Sequence, residues 1–263
     1  LNNYILGAVK KYFQRHTQKK KNMKLFDEKN LIQQLSIDSV IFGYKNKELK
    51  VLVPKLGFNK PLYSLPGGFI FQNESIDSAA KRILEERTSI NDIYLEQFRV
   101  FGEINRTNFD FIEHINEIGR DKFLNVGIDE ADISWLTKRF VSIGYYALVD
   151  INKVSPKTTG FDDSIAWYNI KDLPKMIMDH NDMVNHALEA LRQNLDQKLI
   201  GFNLLPETFT MKEVQELYEA VFDKAFARNN FQKKILDLDV LERLEKKFTG
   251  AANKAPYLYR FKK

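Results

Sequence analysis

The chain has 263 residues, 44% of them hydrophobic, and a formal net charge of +5; this is enough for one large domain or two ordinary ones, each burying its own core. It has no cysteine, which excludes disulfides, thiolate zinc sites and cysteine nucleophiles. The histidines, His16, His114, His180 and His186, match no zinc spacing and read as surface or capping residues, and no apolar run is long enough to span a membrane. No metal, no cofactor and no membrane are therefore expected, and a cytoplasmic protein is the default.

Positive charge gathers at the start. Residues 1–24 hold seven Lys and Arg and no acid, so residues 1–36 read as a basic N-terminal arm, either contacting phosphates or solvated and poorly ordered. Residues 37–43 and 48–54 are β-rich runs joined through Lys45-Asn46-Lys47, the pattern of a hairpin. A further strand, a turn at Gly67-Gly68 and a helix over 75–88 follow, with Ser75 as N-cap. More strands are expected near 93–104 and 140–150. The segment 105–139 between them is too long for a plain connection and reads as an insertion, helix-compatible at 109–118 and 130–138. A short strand at 165–169 and helices at 171–178 and 181–196, capped by Asp172 and Asn181, lead to Gly201-Phe202-Asn203-Leu204-Leu205-Pro206. The helical pattern breaks there, which sets a boundary near 200 between a domain of residues 37–200 and one of residues 201–263.

The predicted helix after Gly67-Gly68 carries Ile76, Ala79, Ala80, Ile83 and Leu84 as an apolar stripe. Around it, Gly68, Glu74, Arg82, Leu84, Glu86 and Ile90 stand at the offsets of a longer pattern: Gly, five residues, Glu, seven residues, then Arg-Glu-apolar-any-Glu-Glu-any-Gly-apolar. This resembles the signature of the Nudix hydrolases. Where that signature wants Glu, Glu and Gly, the chain has Ile83, Arg87 and Ser89. Positions 83, 86 and 87 share one helical face, where three carboxylates would hold the Mg²⁺ or Mn²⁺ that neutralises a diphosphate. Ile83 offers no ligand and Arg87 puts a fixed cation in the metal's place, so the resemblance implies a degenerate, non-catalytic Nudix domain.

Beyond residue 210, Met211 to Phe222 has Val214, Leu217, Tyr218 and Val221 at the spacing of one helical face. A second helix over 228–238 turns Phe231, Ile235 and Leu236 inward and leaves Arg228, Asn229, Gln232, Lys233 and Lys234 outward, side chains suited to base edges and phosphates. The tail from Lys246 through Gly250 to Phe261 has the make-up of a β-hairpin wing, with Lys254 and Arg260 on or beside it. A small helical docking module without DNA is the bland alternative.

The two segments together resemble the Nudix-related transcriptional regulators, above all the arabinose-responsive repressor group and more distantly the regulators of NAD metabolism. The resemblance rests on Ser64-Leu65-Pro66-Gly67-Gly68-Phe69, Glu74 to Arg82, Val141 to Leu148, Gly201 to Pro206, Leu217-Tyr218-Glu219-Ala220, Arg228-Asn229-Asn230-Phe231 and Leu258-Tyr259-Arg260-Phe261, across about 37–104 and 140–261. It departs at the 105–139 insertion and the N-terminal arm. It implies an α+β chain, a Nudix-fold α/β/α sandwich followed by a winged helix-turn-helix. The implied function is a homodimeric repressor that binds operator DNA and senses a sugar such as L-arabinose. Two alternatives stand beside it: a regulator responding to ADP-ribose, and an active Nudix pyrophosphohydrolase using Glu74, Glu86 and an acid from the insertion such as Glu113, Glu117, Asp129 or Glu130.

Overall fold

A computed structural model of the chain describes residues 31–56, 61–91, 93–106, 112–113, 130–158, 162–197, 200–247 and 255–262. Strands β1 (Leu31–Lys45) and β2 (Glu48–Leu56) form the expected hairpin. Its two turn residues, Asn46 and Lys47, have φ of 55° and 63°, the left-handed pair that matches the twist of the flanking strands. β3 (Leu62–Tyr63) and β4 (Gly67–Phe71) come next, then α1 (Ile76–Thr88), β5 (Tyr94–Phe101), α2 (Glu130–Leu136), β6 (Val141–Val149), β7 (Asp162–Asn169) and α3 (His180–Gln197).

The sheet runs β3-β2-β1-β6-β5, with β4 added to β1 and β7 to β2. Its centre is the parallel pair β1/β6, in register from Leu35↔Val141 to Gly43↔Val149. β1 changes its other neighbour along its length: Asp38 faces Gly67 of β4, whereas Phe42 faces Val51 of β2. The sheet splits at that point. Side chains alternate across β1, so Ile37 and Ile41 pack with Ala80, Ile83 and Leu84 of α1. Val40 and Phe42 pack on the opposite side with Met183, Ala187 and Leu191 of α3. This is the α/β/α sandwich.

The same core continues into the C-terminal part, β8 (Phe209–Thr210), α4 (Met211–Phe222), α5 (Arg228–Asp237), β9 (Leu241–Lys246) and β10 (Tyr257–Phe261), whose strands order as β8-β10-β9. Thr210 caps α4 by accepting from the Glu213 N–H at 3.2 Å, while Glu213 accepts from the Thr210 N–H at 2.6 Å, a reciprocal box worth about 1 kcal/mol. All four inward residues expected on α4 are buried. Tyr218 and Phe226 pack on Phe231 with ring centroids 5.1 and 5.5 Å apart, which fixes α5 against α4.

Several local expectations are corrected. β1 begins at Leu31, inside the segment read as an arm, because its polar residues find partners: Gln33 accepts from the Trp135 indole at 2.6 Å. Gly67 and Gly68 open β4 instead of forming a turn. No α-helix fills 171–178; a single 3-10 turn, Ile170–Asp172, is capped by Asn169 and runs into an extended strap, since Pro174 cannot donate to a helical ladder. Asn181 lies within α3 and ties that strap down by accepting from the Met176 N–H at 2.8 Å. Ile76 and Leu236, expected in the core, are exposed. The wing's first strand starts at Leu241, earlier than Lys246. Residues 1–30, Gly250, and nearly all of the stretch 109–118 lie outside the described residues.

Candidate functional site

The part of the Nudix-like signature that persists holds the backbone together. Glu74 accepts from the Phe71 N–H at 2.8 Å and takes Arg82 through both carboxylate oxygens at 2.6 and 3.0 Å. Arg82 also donates to the Phe69 carbonyl at 2.8 Å, stacks over the Phe71 ring at 4.4 Å and lies 3.5 Å from Glu86. This lattice locks the loop between β4 and α1. Glu74 and Glu86 are thus engaged by a guanidinium.

The altered part has been absorbed into the fold. Ile83 is buried among Ile37, Ile70 and Ile143, so close to Gly68 that a Cβ there would meet its side chain at 2.9 Å. Arg87 is buried as well and forms an ion pair with Asp162 at the start of β7. The cation expected at position 87 is thus met by a carboxylate. Among the described residues no group of three or more His, Asp or Glu side chains is placed to hold a metal. Of the acids considered from the insertion, Glu113 and Glu130 are exposed, and Glu117 and Asp129 lie outside the described residues.

A cleft of about 200 Å³ opens where the sheet splits, lined by Asp38, Gly67, Gly68 and Phe69 from β1 and β4 and by Arg87, Arg106, Asp162 and His180 on the deeper side. Leu136, Lys138 and Phe140 line it too, so the described end of the insertion forms part of its wall. There Phe69, Trp135 and Phe140 form an aromatic cluster, with centroids 4.7 to 5.7 Å apart. Arg106 is held by Asp179 at 3.0 and 2.9 Å and donates to the Phe140 carbonyl at 3.1 Å. His180 accepts from the Leu65 N–H through Nδ1 at 2.9 Å, which leaves the proton of the neutral ring on Nε2. Burial, reinforced by Arg106, pushes the His180 pKa down against the opposing pull of Asp38 and Asp179. Reading His180 as a surface or capping residue is corrected.

These residues escaped the sequence reading. Asp38, set in the apolar run Ile37-Asp38-Ser39-Val40-Ile41-Phe42, was the one legible sign, because a carboxylate in a central strand needs partners. Arg106 and His180 reach the cleft only through the tertiary fold.

The second candidate surface is α5. Arg228, Asn229, Lys233 and Lys234 are exposed and Gln232 is half-buried, all on the helix that Phe231 and Ile235 anchor. Lys234 leans back over the Tyr218 ring at 6.0 Å. Ala227 makes no side-chain cap, so the first amides of α5 are satisfied by no capping side chain. Lys254 lies outside the described residues. Arg260 pairs with Glu242 at 2.7 Å and lines a crevice with Tyr94, Pro206 and Glu207; it faces the sandwich. The wing instead presents Arg243 and Lys246, stacked over Tyr257 at 3.5 and 5.4 Å; Arg243 lies before the expected wing because β9 starts earlier.

Residues 201–261 match the family model of the NrtR DNA-binding winged helix domain. The C-terminal domain is thus similar to the NrtR winged helix. Similarity extends over both domains. The ADPR responsive transcriptional repressor NtrR of Acinetobacter baylyi is 24% identical over 234 residues, covering 86% of this chain and 81% of the relative. NrtR of Shewanella oneidensis is 25% identical with a TM-score of 0.65, covering 88% of this chain and 94% of that one. Its structure with a 27mer DNA gives a TM-score of 0.63 over the same shares. A MutT/nudix family protein from Enterococcus faecalis, 19% identical with a TM-score of 0.60 over 88% and 89% of the two chains, has the same fold. The architecture is a Nudix fold joined to a winged helix, that of a ligand-responsive DNA-binding regulator. Placement in the arabinose-responsive group is corrected: the similarity runs to NrtR and to a repressor named as ADPR responsive.

Proposed function

We propose that the protein is a transcriptional repressor whose DNA affinity is set by ADP-ribose bound in the cleft of a non-catalytic Nudix domain. The observation that carries this reading is the pairing of that cleft, its metal face replaced by Ile83 and Arg87, with an NrtR-type winged helix. ADP-ribose is favoured because a relative similar over most of the chain is named as responsive to it, and because aromatic walls beside buried polar groups suit a ligand that carries a base and sugars.

In this reading α5 is the recognition helix. Arg228, Asn229 and Gln232 reach base edges or phosphates from its N-terminal half, the half that meets DNA in helix-turn-helix proteins, and Lys233 follows directly. Lys234 is further from this role, drawn back toward Tyr218. Arg243, Lys246 and Lys254 serve the wing as phosphate contacts, and Arg260 acts where it sits, at the crevice. Two copies bind a palindromic operator, which squares the requirement for a match without new contacts within one copy. DNA titration with and without ADP-ribose tests the proposal.

A further inference from the structure

Two donors deep in the cleft make no hydrogen bond among the described residues. Arg106 is 5% exposed and His180 2% exposed, yet Arg106 Nη2 and His180 Nε2 find no hydrogen-bond partner among the described residues. Both are held rigidly from behind, Arg106 by Asp179 and the Phe140 carbonyl, His180 by the Leu65 amide. Between them stands Asp38, fixed by the Ser142 hydroxyl. Arg106 Nη2 lies 3.7 Å from Asp38 Oδ2, and His180 Nε2 lies 3.9 Å from Asp38 Oδ1.

Those gaps are too long for direct hydrogen bonds, and too short for an oxygen on the line between the atoms. An oxygen standing off the line can lie about 2.9 Å from both ends of either gap. Such an oxygen must accept from the nitrogen and donate to the carboxylate, which a hydroxyl does in the place of a water, and a carbonyl or ester oxygen does not. There are two gaps, one on each oxygen of the same carboxylate, so adjacent hydroxyls fit them together. A phosphate does not fit: the two guanidinia, Arg87 and Arg106, are already matched by Asp162 and Asp179, Asp38 adds a further carboxylate, and an ester oxygen has no proton to give Asp38. Size agrees. About 200 Å³ is below the roughly 300–1,000 Å³ of sites that enclose whole ligands and holds a sugar-sized end. Lys138, exposed and on the same cleft, is free of those carboxylates and suits a phosphate nearer solvent.

We infer that Asp38, Arg106 and His180 form a subsite for a vicinal diol, which selects the terminal ribose of the nucleotide sugar. This rests on the ADP-ribose reading above and adds which end of the ligand goes in first. The adenosine ribose, flanked by base and phosphates, cannot occupy so small an end of the cleft.

Calorimetric titration of the full chain with ADP-ribose, ADP and D-ribose tests it. ADP-ribose should bind wild type about tenfold more tightly than ADP, the scale of a hydrogen bond to a charged group. Asp38→Asn should bring the ratio close to one. His180→Asn, which keeps an acceptor for the Leu65 amide but withdraws the Nε2 donor, should do the same if Asp38→Asn fails to fold. Equal binding of ADP and ADP-ribose by wild type, or a ratio unchanged in a folded variant, overturns the subsite and leaves nucleotide sensing standing. If neither nucleotide binds, the ADP-ribose reading fails. In that case D-ribose binding that is lost in the variants supports the diol subsite, and no D-ribose binding overturns it too.

Discussion

Arg87, on the last turn of α1, forms a buried ion pair with Asp162 at the first residue of β7. In a chain with the full Nudix signature, position 87 would be a metal-binding carboxylate. Here it joins the helix to the neighbouring strand. Removing one partner of a buried pair strands the other charge, at a cost of roughly 3–5 kcal/mol. Arg87→Ala is therefore expected to lower unfolding stability by that order in urea titrations, and Arg87→Met with Asp162→Asn to recover most of the loss.

Restoring the metal face should fail for a structural reason. Ile83 is enclosed by Ile37, Ile70 and Ile143, and the guanidinium one turn on, Arg87, is already taken by Asp162. Burying an unpaired charge is strongly unfavourable, so Ile83→Glu is expected to melt well below wild type. The double variant Ile83→Glu/Arg87→Glu should lose its fold before it gains Mg²⁺ binding. Melting curves with and without Mg²⁺ read both.

His180 makes stability depend on pH. Its folded-state pKa is depressed below the ordinary 6.5 by burial, so the folded chain binds fewer protons than the unfolded one below that point. The stabilisation is present in full above about pH 6.5 and is lost as pH falls from there toward the folded pKa. A urea midpoint series from pH 7.5 to 5 should decline, and His180→Asn should flatten its slope. An unchanged slope would mean that other groups carry the dependence.

On the winged helix, each lost base contact costs on the order of 1–3 kcal/mol. Asn229→Ala and Gln232→Ala should weaken binding to a duplex selected from a random pool and narrow its margin over random DNA. Lys246→Ala should weaken both duplexes alike and shallow the salt dependence, as expected for a phosphate contact. Competition titrations at two salt concentrations separate these outcomes. If all three variants match wild type, α5 and the wing are not the DNA surface.

Local pattern carried the sequence reading where one element decides its own shape. The Asn46-Lys47 turn, the Ser75 cap and the inward face of α4 all follow from residues within one or two turns of each other. The reading failed where distant segments decide. Gln33 hid the start of β1 because its partner, the Trp135 indole, lies on a distant part of the chain. The partner of Arg87 was not legible because Asp162 is 75 positions away. The cleft needed Asp38, Arg106 and His180 from three regions, and no local signal joins them. The effector was misjudged for a different reason: a degenerate metal face speaks against metal-dependent hydrolysis, but it names no ligand.

The central claim is that one molecule couples the cleft to the winged helix. Fluorescence anisotropy of a labelled, selected duplex, titrated with the full chain in the absence and presence of saturating ADP-ribose at fixed salt, measures that coupling directly. The account predicts that the DNA dissociation constant changes by at least about fivefold, the lower end of ordinary allosteric coupling, and that Asp38→Asn suppresses the change. Superimposable curves, from protein that demonstrably binds both the duplex and ADP-ribose, would contradict it.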